Sequence, residues 1–382
     1  MKILHFSDTH LGYSDLDKVG AKGINLREQD FYDAFEQVID AAIELRPDLI
    51  LHAGDFFHRP SPPNRPMIFA LEQLNRLSDA GLPIVIIAGN HSTPKTIYTS
   101  PILQAFRTIK GVYPIFQQAY ETVEFGDLVV HGLPHINDDQ LQLEEMKKIQ
   151  PIEGKLNVLM LHTSIGKDYI MEEFGEKLFP PERMALLRQF DYVALGHWHN
   201  YQQVRGLANA WYSGSTERMS DTEVGKEKGY CILELEAGPT EPPVPTLIPI
   251  KTRLWHRLDI KDCASKSVED IETELLSAVQ GLELEQSMLN LYLHQIQSIQ
   301  AVQLSNKRIQ EIVPGPVHIN VRRLFADRAE QGDEVMTTTE TLDVLMNGFI
   351  NKKIKDEKKA KRLNTRAQYY FNLYESGEYR KR

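Results

Sequence analysis

Seven side chains, all Asp, Asn or His, stand at the ends of apolar runs, where together they could hold metal ions. They are Asp8 and His10 after KILHFS, Asp55 after LILHAG, Asn90 after IVIIAG, His162 after LNVLML, and His197 and His199 after YVALG. A lone Asp-x-His or His-x-His arises by chance, but this succession of polar clusters, each closing an apolar run, is not expected by chance. Residues two apart in a strand point to one side, so Asp8 with His10, and His197 with His199, are expected to face a metal from strand ends. Imidazole, carboxylate and amide oxygen make a donor set of intermediate hardness, suited to Mn²⁺, Fe²⁺ or Zn²⁺ rather than to an all-oxygen Ca²⁺ cage. Cys231 and Cys263 are too few for a thiolate site or a disulfide scaffold and read as buried free thiols. Glycine immediately precedes Asp55, Asn90 and His197, as expected where the chain turns sharply and a ligand approaches the backbone.

The elements that must position these residues are legible in outline. KILHF, DLILH, LPIVII, LNVLMLH and DYVALG read as strands, and amphipathic segments over 27–45 and 65–80 read as helices between them. This is an α/β layered pattern, in which ligands gather at the carboxyl ends of the strands. The segment AGPTEPPVP cannot sustain a central strand or helix, and a linker is placed over 237–249. Beyond it, TRLWHRLDI and VHINVRRLF read as strands, with a capping-box-like helix start at Ser267 between them. The expected organisation is a first domain over 1–236, a small α+β domain over 250–330, and a helical segment with a basic tail over 331–382. In that last segment Leu342, Leu345, Met346, Phe349 and Ile350 form a stripe at helical spacing.

Length and charge bound the rest. At 382 residues, one large domain with a smaller one is the natural arrangement. No run reaches the roughly 18 apolar residues of a membrane span, and no secretory signal opens the chain, so a cytoplasmic protein without a membrane partner is expected. Residues 351–382 hold eleven Lys or Arg against four Asp or Glu, so within a total of −10 the tail carries +7 and the remainder −17. Such an acidic body repels a polyanion unless bound cations reverse the local potential.

The series Asp8-x-His10, Gly54-Asp55, Gly89-Asn90-His91, His162 and Gly196-His197-x-His199 resembles the calcineurin-like metallophosphoesterase superfamily over residues 8–199. The resemblance implies that Asp8, His10 and His199 hold one divalent ion, that Asn90, His162 and His197 hold a second, and that Asp55 bridges them, with Mn²⁺ favoured. His91 is then the general acid or a phosphate-contacting group. Three further stretches are similar to SbcD-type DNA double-strand-break nucleases: His10-Leu11-Gly12-Tyr13 with Asn25–Phe31, Ala53–His58, and Tyr212–Arg218 followed by Lys228-Gly229-Tyr230.

This second resemblance implies DNA exonuclease and endonuclease activity, with His58 positioning the nucleotide and Tyr13 and Arg218 contacting DNA. It also implies a DNA-facing cap over 250–330, a homodimer, and binding of an SbcC-type ABC ATPase through Leu342, Leu345, Met346, Phe349 and Ile350. No G-x-x-x-x-G-K-[ST] loop occurs in the chain, so nucleotide hydrolysis would belong to that ATPase. A phosphodiesterase or phosphatase for small substrates, and a non-catalytic scaffold subunit, are the other readings of the same residues. One position departs from the family pattern: Ser92 stands where an acidic residue usually orients the histidine of the Gly-Asn-His triplet, so weaker orientation of His91 is expected.

Overall fold

Alternation within the apolar runs sets the layering. In the computed structural model, Ile3, Leu49, Leu51, Val85 and Ile87 share one buried cluster with Val130, Val158, Met160, Tyr192 and Ala194. Leu4, Phe6, Ile50, Ile84 and Ile86 belong to another, with Phe35, Val38, Leu74 and Leu77. Odd and even positions of the same strands thus serve different clusters, one between two sheets and one beneath helices, as the two-residue strand period requires. The structure describes all residues except 21–22, 97–98, 172–175, 237, 239–240, 327–349, 351–353, 355–358 and 368–382.

The strands are β1 (Lys2–Phe6), β2 (Leu49–His52), β3 (Ile84–Ile87), β4 (Val112–Ile115), β5 (Glu121–Phe125), β6 (Leu128–Leu133), β7 (Leu156–His162), β8 (Tyr192–Gly196), β9 (Gln202–Gln203), β10 (Ala210–Tyr212), β11 (Gly229–Glu234), β12 (Thr246–Pro249), β13 (Trp255–Ile260), β14 (Met288–Ile296) and β15 (His318–Phe325). The helices are α1 (Leu26–Leu45), α2 (Asn64–Asp79), α3 (Asp139–Met146), α4 (Met184–Leu187), α5 (Val268–Val279), α6 (Ser298–Gln303) and α7 (Asn306–Ile312). One six-stranded sheet runs β12-β11-β1-β2-β3-β4, a second β5-β6-β7-β8-β10-β9, and a three-stranded sheet β13-β14-β15. β1 to β4 pair in parallel, as do β6, β7, β8 and β10, so the carboxyl ends of four neighbours in each large sheet lie together. That common end is where an α/β sheet binds its ligands.

The seven runs read as strands are β1, β2, β3, β7, β8, β13 and β15, and the two amphipathic segments are α1 and α2. Asn25 caps α1, its side chain accepting from the Arg27 and Glu28 amides. Ser267 and Asp270 close the expected capping box on α5. The Gln-rich stretch 282–312, unreadable by period, holds β14, α6 and α7.

The chain divides into one unit of Met1–Arg257, Gly281–Asn290 and Pro314–Asn320, and another of Leu258–Gln280, Leu291–Val313 and Val321–Arg382. The expected linker over 237–249 needs correction, because Thr246–Pro249 is an edge strand paired to β11. Proline is tolerated there because an edge strand leaves one row of amides without a ladder partner. Residues 250–257 stay with the first unit. The Ile250 amide donates to the Lys228 carbonyl, and Arg253 forks onto Asp30 at 2.7 and 2.6 Å. In the second unit Ile271, Leu275, Leu291, Leu293, Ile296 and Ile309 are buried, and the Gln300 amide donates to the Cys263 and Lys266 carbonyls. Both cysteines are free and buried. No described helix is long and apolar enough to cross a membrane. Of the stripe expected to bind an ATPase, Leu342, Leu345, Met346 and Phe349 lie outside the described residues, and Ile350 is helical.

His5, in β1, is fully buried with its Nδ1 2.9 Å from the Tyr192 hydroxyl. Burial lowers its pKa to about 3. An unfolded histidine titrates near 6.5, so this contribution to stability is full above about pH 6.5 and is lost as pH falls toward 3. His5→Gln is therefore expected to lose less of its melting temperature than the parent between about pH 7 and about pH 5. Equal losses, measured by calorimetry, would refute this.

Candidate metal centre

The strand ends deliver lone pairs to one place. His162 Nδ1 donates to the Ala53 carbonyl at 2.9 Å, which leaves its Nε2 as an acceptor. That nitrogen lies 3.0 Å from Asp55 Oδ2 and 3.1 Å from Asn90 Oδ1. Three lone-pair atoms at these distances repel one another unless a cation sits among them. Without one, a proton takes the role. Burial opposes charge on His162, but Asp55 outweighs it and raises the pKa to about 9. His10, fully buried with neither ring nitrogen hydrogen-bonded among the described residues, fits a missing ligand equally well.

Asp8, His10 and His199 present ligand atoms all within 4.8 Å of one another, and so do Asp8, Asp55 and His162. His10 Nε2 is 4.0 Å from Asp55 Oδ2, and the His162 and His197 rings lie 5.5 Å apart. Two adjoining clusters thus meet at Asp8 and Asp55. The donor set and these orphaned atoms fit the two divalent ions expected from the chain.

Strand periodicity is not what aims these side chains. β1 stops at Phe6 and β8 at Gly196, and six of the seven ligands follow in loops, four of them with left-handed backbone: φ is 52° at Asp8, 39° at His10, 51° at Asp55 and 96° at His197, while His162 ends β7. Such strain persists only where the surroundings impose it. Main-chain bonds do so here, from Asp8 N to Gly54 O and from His10 N to Asp55 O, each 3.0 Å. The glycines make the crowding tolerable. A Cβ on Gly54 would meet the His162 ring at 2.2 Å, one on Gly89 the Asp55 carboxylate at 2.2 Å, and one on Gly196 the Ala53 carbonyl at 2.1 Å. Only Gly54 of the three also needs positive φ, at 104°.

Two acidic residues that sequence reasoning missed orient the histidines. Glu176 Oε1 accepts from His197 Nε2 at 2.9 Å, so Nδ1 is the nitrogen available for a metal. Burial opposes the charge of Glu176, but bonds from His197, Ser164 and the Met171 amide hold its pKa at about 2. Glu223 Oε1 faces His199 Nδ1 at 3.4 Å, and its other oxygen accepts from Lys228 and Ser215. Lys228 also donates to the His199 carbonyl at 2.6 Å. Ser7 Oγ donates to Asp8 at 2.5 Å, and the His197 amide to both Asp8 oxygens at 3.1 Å. Glu176 and Glu223 come from loops without periodic pattern. The only pointer was the stretch ending at Lys228-Gly229-Tyr230.

His91 and His58 are the half-exposed members. The His91 amide donates to Asp55 Oδ1 at 2.9 Å and its Nδ1 to the His58 carbonyl at 3.1 Å. Its ring stacks on His58 at 5.2 Å and meets His10 edge-on at 5.0 Å. A main-chain carbonyl therefore orients His91, and Ser92 is buried with its hydroxyl bonded to none of the described residues. Ser92 thus supplies none of the orientation that an acidic residue would give at this position.

Tyr13 and Arg218, expected on DNA, both hold intramolecular bonds. The Tyr13 hydroxyl donates to the Met219 carbonyl at 3.1 Å, its ring packs on Phe31 and on His58, and burial pushes its pKa up to about 12. The Arg218 guanidinium donates to Thr252, the Arg253 carbonyl and the Lys226 carbonyl. His52 pairs with Thr9 and His131 with Tyr120 and Asn157, as packing residues.

The family model described as calcineurin-like phosphoesterase matches residues 1–201. The chain is 34% identical over 234 residues to the DNA double-strand break repair protein Mre11 of Sulfurisphaera tokodaii, covering 59% of this chain and 57% of that one. It is 31% identical over 294 residues to the protein of the same name from Sulfolobus acidocaldarius, covering 74% and 71%. A third Mre11, from Thermoplasma acidophilum, is 31% identical over 248 residues, covering 62% of each chain. The matches therefore span between 57% and 71% of these relatives' lengths.

A carboxylate that fixes a metal-binding imidazole tunes affinity by about 10- to 100-fold. Glu223→Gln should weaken divalent-metal binding to that extent in competition with a chelating dye, with circular dichroism preserved. Unchanged affinity in a folded variant would refute the role of Glu223.

Proposed function

We propose that this chain, which belongs to the calcineurin-like phosphoesterase family, is a metal-dependent nuclease that hydrolyses DNA phosphodiesters by both exonucleolytic and endonucleolytic cleavage. The carrying observation is the pair of adjoining buried ligand clusters with the half-exposed His91 and His58 at their border. DNA is chosen as substrate because the relatives that match most of this chain are named as DNA double-strand break repair proteins. Asp8, His10 and His199 would hold one ion, Asn90, His162 and His197 the other, and Asp55 both, with Mn²⁺ favoured. Bound there, divalent ions activate water near neutral pH and neutralise the phosphoryl oxygens.

The remaining work belongs to side chains. With Nδ1 committed to the His58 carbonyl, His91 has Nε2 to donate a proton to the leaving oxygen. His58, stacked on His91 and braced by Tyr13, would position the nucleotide. Asp55 contributes charge: burial opposes its ionisation, but His162 and His91 outweigh burial and hold its carboxyl well below the usual range. In the cell this chain would act in the cytoplasm as a homodimer. An SbcC-type ATPase would bind the 342–350 stripe, and the α+β region expected over 250–330 would face DNA.

Mn²⁺-dependent digestion of an end-labelled duplex, compared with hydrolysis of an aryl phosphodiester, tests the substrate class. Cleavage of the aryl ester alone would overturn the DNA reading. His91→Ala should lower duplex cleavage by about a hundredfold or more while metal content stays at about two ions per chain. Unimpaired cleavage would remove His91 from the chemistry. Deleting 340–382 should abolish co-purification with the ATPase and leave metal content unchanged; equal co-purification would refute the partner assignment.

A further inference from the structure

A third ligand cluster adjoins the two of the metal centre and shares only His10 with them. His10, His58 and His91 present nitrogen atoms that all lie within 4.8 Å of one another. Their rings stand 5.6 Å apart for His10 and His58, 5.0 Å for His10 and His91, and 5.2 Å for His58 and His91. Main-chain bonds beyond the ends of β1 and β2 bring two of them together: His10 N to Asp55 O at 3.0 Å, Leu11 N to Phe56 O at 2.9 Å, and His58 N to Leu11 O at 3.1 Å. His91 joins from the turn after β3, its amide on Asp55 Oδ1 and its Nδ1 on the His58 carbonyl, so Nε2 is its ligand atom. Three backbone segments thus gather three imidazoles round one point. His10 is fully buried, and neither of its nitrogens is hydrogen-bonded among the described residues.

The donor set of this cluster differs from those of its neighbours. The clusters built on Asp8 and Asp55 each contain carboxylate, the donor that suits Mn²⁺. Three imidazoles bring nitrogen alone and no negative charge. Such a set suits Zn²⁺ far better than Mn²⁺, and three histidines with an open fourth position are a known tetrahedral zinc arrangement. Zn–N bonds of about 2.0–2.1 Å in a tetrahedron put the nitrogens about 3.4 Å apart. His58 and His91 are half-exposed, so small rotations of these two rings close the remaining distance. A metal takes the place of the proton or hydrogen-bond partner that a ligand nitrogen otherwise holds. The cluster therefore needs nearness, not vacancy.

We infer that His10, His58 and His91 form a third metal site, selective for Zn²⁺ over Mn²⁺, and that filling it shuts the centre down. The ion takes His91 Nε2, the atom proposed to protonate the leaving oxygen, and holds His58 off the nucleotide. It also competes with the Asp8–His199 ion for His10, which belongs to both clusters. The inhibitory consequence rests on the nuclease reading, whereas the binding of zinc does not.

The test titrates the full chain with Zn²⁺ in excess Mn²⁺ against a zinc-responsive chelating dye, for the parent, His58→Gln and His91→Gln. Loss of an outer partner of a ligand already weakens a metal site by about 10- to 100-fold. Loss of a ligand itself should therefore weaken Zn²⁺ binding about tenfold or more in each variant, while Mn²⁺ content without zinc stays at about two ions per chain. His58→Cys, which keeps a zinc ligand, should bring back most of the affinity but not the cleavage. A role in substrate handling alone would move none of these affinities. In the parent, stoichiometric Zn²⁺ should stop duplex cleavage in Mn²⁺, and a zinc-selective chelator should restore it. Equal Zn²⁺ affinity in the parent and both folded variants would overturn the third site and leave zinc to the ligands of the metal centre. Cleavage that persists with this zinc bound would overturn its inhibitory role. Parent protein that binds Zn²⁺ in a His58-dependent way but cleaves no DNA in Mn²⁺ alone would instead overturn the nuclease reading and keep the site.

Discussion

The mutual repulsion of lone pairs at one spot governs this structure. Asp55 Oδ2 and Asn90 Oδ1 each stand about 3 Å from His162 Nε2, an arrangement that costs free energy until a cation or a proton occupies it. Burial makes that cost larger and the cation's reward larger with it. The fold reaches this state through features that would otherwise be expensive: left-handed backbone at four ligand positions, and glycines whose replacement would put a Cβ inside a neighbour. Main-chain hydrogen bonds between the ends of β1 and β2 hold the strained loops in place.

Around that centre the protein divides labour by burial. Ligand side chains are buried, and their orientation is handed outward to Glu176 and to the Glu223–Lys228 pair. A carboxylate on the far nitrogen decides which nitrogen of the imidazole can ligate. Lys228 in turn neutralises Glu223, so a buried charge is never left alone. The half-exposed His91 and His58 lie at the border of this buried set, where a substrate can reach them without disturbing the ligands.

A second ionic network explains why the first unit ends later than composition suggests. Arg27, Asp30, Glu217 and Arg253 are joined by close charge contacts, and Arg27 lies over Trp255 at 5.6 Å. These contacts hold residues 252–257 to α1 and to the loop before β11. A proline-rich stretch marks where regular structure breaks. It does not mark where contacts stop.

From the sequence alone came the strands β1, β2, β3, β7, β8, β13 and β15, the helices α1, α2 and α5, and the candidate ligands at the strand ends. These were legible because continuous apolar runs, a helical period, a capping box and glycine-polar junctions are local patterns. Strands such as β5 and β12, with exposed or proline-bearing residues, and the Gln-rich 282–312 stretch carry no such pattern. The tertiary structure alone decided how the ligands other than His162 are aimed, through loop backbone rather than strand alternation. It also decided which carboxylates orient the histidines. It brought the His58 carbonyl to His91. Each of these depends on groups far apart in the chain, Ala53 with His162 or Asp30 with Arg253, and no local spacing encodes such a meeting.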